Sequence, residues 1–87
     1  MMKPEGKEII VFDREVIQKE RMRRNLTYSH MARLLGITPS GYIYKEHGHR
    51  SFTLAEIYKI AKYFNLPLEK LIKVVNIEEE GGEKDGQ

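Results

Sequence analysis

The chain of 87 residues contains no cysteine. Disulfides and thiolate metal sites are therefore excluded, and the composition fits a reducing, cytosolic setting. Long apolar runs are also missing. The longest is Ile9 to Phe12, far too short for a signal-peptide core or a membrane span. A soluble cytoplasmic protein with no membrane association is expected. No nucleophile elbow, phosphate-binding loop or paired-histidine motif occurs. Most of the clustered carboxylates sit in the last ten residues, among glycines, where nothing would hold them for acid–base work. The sequence thus reads as that of a non-enzyme. Three histidines are present, and His47-Gly48-His49 invites a metal reading. Convergent sites need three or four ligands, and only His30 remains to join the pair. The two histidines read instead as surface groups, and neither metal nor cofactor is expected.

The length suits one small domain, of a size that often leans on a partner subunit. Its charge is uneven. Residues 1–77 carry fourteen Lys/Arg against eight Asp/Glu, and residues 78–87 carry one Lys against five acids. A basic body favours polyanions.

Thr27 to Gly48 (TYSHMARLLGITPSGYIYKEHG) is the stretch around which the chain is organised. Thr27 is a good N-cap, because its hydroxyl can accept from an unpaired amide of the first turn. Tyr28, Met31, Ala32 and Leu35 follow at i, i+3, i+4 and i+7 on one face. Gly36 falls where a helix ends in a left-handed residue. Ile37 is an apolar plug in the turn. Thr38 is a second N-cap, with Pro39 at the first helical position, where its missing N–H costs nothing. This second helix runs to about His47 and stops at Gly48. Two short helices about a Gly-containing turn fit a helix-turn-helix, and equally an αα-hairpin of some other helical bundle.

Around this centre, Met1 to Lys7 reads as a loose arm and Glu8 to Phe12 (EIIVF) as a candidate short strand. Asp13 is a candidate N-cap for a helix through about Arg24, with Val16 and Ile17 facing inward. Lys19, Arg21, Arg23 and Arg24 form a basic, solvated face. Thr53-Leu54-Ala55-Glu56 is a capping box. Leu54, Ile57, Tyr58, Ala61 and Phe64 follow it at helical spacing. The helix should break at Asn65, and Pro67 opens a last one from Leu68 to Lys73. Lys73 to Ile77 (KVVNI) is again strand-like. It pairs with EIIVF within one chain or across a dimer, or both segments fray. Glu78 to Gln87 lacks apolar residues and is expected to be disordered. The domain plan is an arm over 1–12, a domain over 13–73 and a tail over 74–87.

From Ile17 to Ile72 the chain resembles the Cro/repressor-type (XRE-like) helix-turn-helix domain of phages and bacteria. The ordered landmarks include Arg21, Leu26-Thr27, Met31-Ala32, Leu35-Gly36-Ile37-Thr38, Glu46, Gly48, Arg50, Leu54, Ile57, Ile60-Ala61, Phe64 and Leu71-Ile72. The stretch Tyr42-Ile43-Tyr44-Lys45, followed by Gly48 to Leu54, most resembles small phage-type regulators. The resemblance implies an all-α, five-helix, lambda-repressor-like domain, with the two candidate strands at its ends. It implies a transcriptional regulator, a repressor of promoters, that binds double-stranded DNA as a homodimer on a palindromic operator and uses no small-molecule ligand. The final helix and KVVNI are the expected dimer surface.

The resemblance also implies roles for residues. The helix Pro39–His47 enters the major groove. Base edges are met from Tyr28, Pro39, Ser40, Gly41, Ile43 and Tyr44, and phosphates from Tyr28, Ser40, Tyr44, His49 and Arg50. Arg21 pairs with Glu46, partly buried. The reading face departs from the family pattern, because Pro39, Gly41 and Ile43 have no side-chain donor for a base edge. Gly41 also weakens its helix by roughly 1 kcal/mol relative to alanine. Tyr42 and Lys45 stand where the family usually has aliphatic core residues, and Tyr42 reads as core. The alternative reading is a protein-interaction module on the same scaffold, antitoxin-like or an anti-regulator, with Ile43 and Tyr44 as apolar anchors.

Overall fold

A computed structural model describes residues 7–77 of the chain. The expected N-terminal arm and acidic tail lie outside this range, apart from Lys7 itself. The element order is β1 (Lys7–Phe12), α1 (Arg14–Arg23), α2 (Tyr28–Leu35), α3 (Pro39–Glu46), α4 (Leu54–Phe64), a 3₁₀ turn (Leu68–Leu71) and β2 (Ile72–Ile77).

Most helix ends are set by local chemistry. Thr27 accepts from His30 N, and Thr38 accepts from Gly41 N, each at 3.0 Å. Pro39 occupies the first turn of α3. Thr53 and Glu56 form the full capping box of α4. Gly36 ends α2 at φ 73° and Asn65 ends α4 at φ 57°. Asp13 holds the N-cap position of α1 with extended backbone, but its side chain makes no cap bond. Its amide donates instead to Leu71 O at 2.7 Å, which ties the start of α1 to the 3₁₀ turn.

The helices close on one core of Ile17, Met31, Ala32, Leu35, Tyr42, Ile60, Ala61, Phe64 and Leu71. Phe12, Leu26, Phe52 and Ile57 pack at its edge. The inward face of α4 differs from the sequence pattern. Ile57, Ala61 and Phe64 do turn to the core, with Ile60 completing the stripe. Leu54 and Tyr58 face outward, 75% and 57% exposed. Helical periodicity permits two neighbouring stripes here, and packing selects the one that also buries Glu56.

The fold is mostly helical, as expected, with one correction. The described residues contain four α-helices, and the anticipated fifth, Leu68 to Lys73, is a single 3₁₀ turn. It stops because Ile72 and Lys73 leave the helical path to pair with Phe12 and Val11. The strand segments do not fray. They form an antiparallel two-stranded sheet within one chain, in register from Lys7 with Ile77 to Phe12 with Ile72.

Candidate nucleic-acid interface

The helix α3 has two faces. Gly41, Tyr42 and Glu46 are buried, and Lys45 is turned inward with them. Pro39, Ser40 and Tyr44 are exposed, and Ile43 is half-buried beside them. The outer face of α3 therefore brings together Pro39, Ser40, Ile43 and Tyr44 of the expected reading set. Gly41 does not join them, because it sits on the opposite side of the helix.

What fixes this rotation is a polar cluster beneath the helix. Arg21 of α1 grips Glu46 through both carboxylate oxygens, Nε to Oε2 at 2.8 Å and NH2 to Oε1 at 3.1 Å. Its third nitrogen donates to Leu26 O at 3.0 Å. The Tyr42 hydroxyl donates to Glu46 Oε2 at 2.7 Å, from one turn earlier in the same helix. Glu46 is 2% exposed, so its charge is held by three side-chain hydrogen bonds out of water. Burial pushes the Tyr42 hydroxyl far above the ordinary tyrosine range, and the bond to Glu46 adds to this, so it stays a donor. Burial costs Arg21 its hydration, but the hydrogen bond to Glu46 together with the attraction of the Glu46 charge outweighs that and keeps Arg21 charged. Arg14, at the start of α1, donates to Glu46 O at 3.3 Å.

Tyr28, at the first position of α2, is half-buried. The Arg21 guanidinium lies 4.4 Å from its ring centroid. The His47 ring meets it edge-on at 6.2 Å. Tyr28 thus joins the start of α2 to the end of α3.

After α3 the chain turns at Gly48, where φ is +88°. A Cβ here would come within 2.7 Å of the Arg14 guanidinium, the exposed end of a flexible side chain that can swing aside, so it is the left-handed φ that calls for glycine. The amides of His49 and Arg50 both donate to Tyr44 O, at 2.8 and 3.2 Å. This folds the loop back on the helix. The Tyr44 ring then has His49 edge-on at 6.2 Å and the Arg50 guanidinium 5.2 Å from its centroid. Tyr44, His49 and Arg50 are all exposed. Three residues that the sequence offers as separate contacts therefore form one cationic, aromatic cluster next to the outer face of α3.

The basic face expected on α1 is partly dissolved by its neighbours. Glu20 pairs with both Arg23 and Arg24. Arg24 also donates to Phe64 O at 2.8 Å, closing the C-terminus of α4. Lys45 stands at a position where the resemblance has an aliphatic core residue, and its ionic role there has no sequence signal. Its ammonium lies 2.7 Å from Glu56 Oε1. Among the described residues, no group of three His, Cys, Asp or Glu could hold a metal ion. No helix among them is long and apolar enough to cross a membrane.

The model of a helix-turn-helix family matches residues 17–71, more than half of the chain. Eight chains of solved structures also match. One is the transcriptional regulator VanUg, at a TM-score of 0.55 and 14% identity, with 87% of this chain and 96% of that one covered. At such identity the likeness is one of fold. No curated protein matches the chain.

Proposed function

The chain belongs to the helix-turn-helix family, and from that premise we propose that it is a sequence-specific DNA-binding regulator. The helix α3 lies in the major groove, with α2 across the backbone. The observation that carries this reading is the clustering of Tyr44, His49 and Arg50 beside the outer face of α3. A guanidinium and an imidazole are held there next to the side chains that would meet base edges. Base contacts fall to Ser40, Tyr44 and Tyr28, with Ile43 packing on a thymine methyl. Phosphates are met by Tyr28, Ser40, Tyr44, His49 and Arg50. With so few donors on the face, DNA shape supplies part of the selectivity.

The regulator acts as a repressor, binding a palindrome as a homodimer and occluding a promoter without any ligand. Exposed apolar groups on the strands support self-association. Ile10 and Val74 are partners across the sheet, 66% and 55% exposed. An apolar pair on so small a body favours a partner surface.

The test is DNA binding by Arg50→Ala and Tyr44→Ala across a salt series. Arg50→Ala should weaken all duplexes and reduce the salt slope by about one. Tyr44→Ala should change the preference among sequences. Unaltered binding in both variants would refute these assignments. A protein-binding face instead predicts that Ile43→Ala breaks a complex which Arg50→Ala leaves intact.

A further inference from the structure

A lysine in a helix that lies on DNA is ordinarily assigned to a phosphate. Lys45 is not placed for that. Its side chain is only 13% exposed and points to the far side of α3 from Ser40 and Tyr44. The ammonium donates to Glu56 Oε1 at 2.7 Å and to Ser51 O at 3.2 Å. The same carboxylate oxygen accepts from Thr53 N at 2.9 Å, and Glu56 N donates to Thr53 Oγ1 at 3.1 Å. Glu56 would cap α4 without any lysine, since the capping box needs only its own helix. The lysine adds a link from α3 to that cap and to the end of the intervening loop.

That loop carries His49 and Arg50. Its near end is held by backbone bonds, Gly48 N to Lys45 O and both His49 N and Arg50 N to Tyr44 O. Toward its far end, Ser51 O is held by the Lys45 ammonium. Arg50 therefore sits between two fastenings that both lead back to neighbouring residues of one helix. We infer that Lys45 is a positioning residue: it touches no DNA, and it latches the 48–52 loop to the α4 cap so that Arg50 is presented to a backbone phosphate. The inference rests on the DNA-binding reading for the last step, whereas the latch itself does not.

The experiment is a double-mutant cycle with hydrogen exchange on the full chain. Lys45→Met keeps the apolar stem and removes the ammonium. Glu56→Gln keeps the capping box and removes the charge that holds Lys45, so it serves if the first variant folds poorly. On a pool of random duplexes, Lys45→Met should weaken binding by a factor similar to that of Arg50→Ala. The double variant should be little weaker than either alone, because both act through one contact. The salt slope should fall by about one in each single variant and no further in the double. In the free protein, the His49 and Arg50 amides should exchange about tenfold faster in Lys45→Met, with those of α2 unchanged. Additive losses with a slope lowered by about two would make Lys45 a phosphate ligand and overturn the inference. So would a lowered Tm with unchanged binding by the folded variant. If the wild type binds no DNA, the DNA reading fails, and exchange alone decides the latch. Unchanged exchange at His49 and Arg50 would remove it.

Discussion

Glu46 is where a single residue matters most. It accepts from Arg21 twice and from Tyr42 once, in a space closed to water. Replacing Arg21 by Met strands a buried carboxylate and should cost about 3–5 kcal/mol, read as a fall in the urea midpoint. Tyr42→Phe loses one hydrogen bond to a buried charge and should cost about 1.5–3 kcal/mol. The pairing of Arg21 with Glu46 is apparent from the sequence only through the family pattern, since they lie 25 positions apart. The Tyr42 contribution is harder to read. Its spacing to Glu46 is one helical turn, but a tyrosine at an apolar position reads as bulk, and its hydroxyl finds a partner only once α1 delivers the ion pair. Glu56 adds a pH dependence. Burial alone would raise its carboxyl, but the hydrogen bonds from Lys45 and Thr53 hold it below the ordinary value of 4.5. The folded state therefore binds this proton less readily than the unfolded chain. Its contribution to stability is complete above pH 4.5 and is lost as the pH falls through the lower folded value. Thermal unfolding across this acid range should show the loss, and Lys45→Met should flatten it.

At the scale of elements, the helix ends were the legible part. Thr27, Thr38, Pro39, Gly36 and the Thr53–Glu56 box act within a few residues of themselves. Thr38→Ala should cost about 1 kcal/mol and loosen the start of α3, as read by unfolding and by exchange at Gly41 N. Gly48→Ala should be destabilising by about 1–3 kcal/mol, because alanine must then hold a left-handed φ, while the exposed Arg14 guanidinium can move aside. Features that depend on distant partners were not legible. Leu54 and Tyr58 obey the helical period yet face outward, since the period does not choose between adjacent stripes. Asp13 has the residue type of an N-cap, and its amide is taken by Leu71 from the other end of the chain. The pairing of β1 with β2 joins segments that the whole of residues 13–71 separates, and β-branched composition names no partner. The two-sided character of α3 lies between these cases. Its outer set and the core position of Lys45 could be drawn from the resemblance, but Gly41 is placed, and Lys45 given its partner, only by the contacts of the inner face.

On the proposed reading, the whole molecule is a basic body with more DNA to read than one helix can reach. The excess of cations over residues 1–77 supplies the general attraction, and it predicts strongly salt-dependent binding. On the proposed reading, selectivity comes from a second copy. Two protomers on half-sites should recognise sequences about 10–10.5 base pairs apart, centre to centre. If the strands form the contact between copies, Ile10→Glu should shift the chain to monomer in sedimentation and weaken operator binding, with helix content retained. The measurement that bears most directly on the central claim is selection of bound duplexes from a random pool, with affinity followed across salt. The account predicts a palindromic motif bound far above background and still preferred as salt rises. Binding that is weak, without motif and abolished by moderate salt would contradict it.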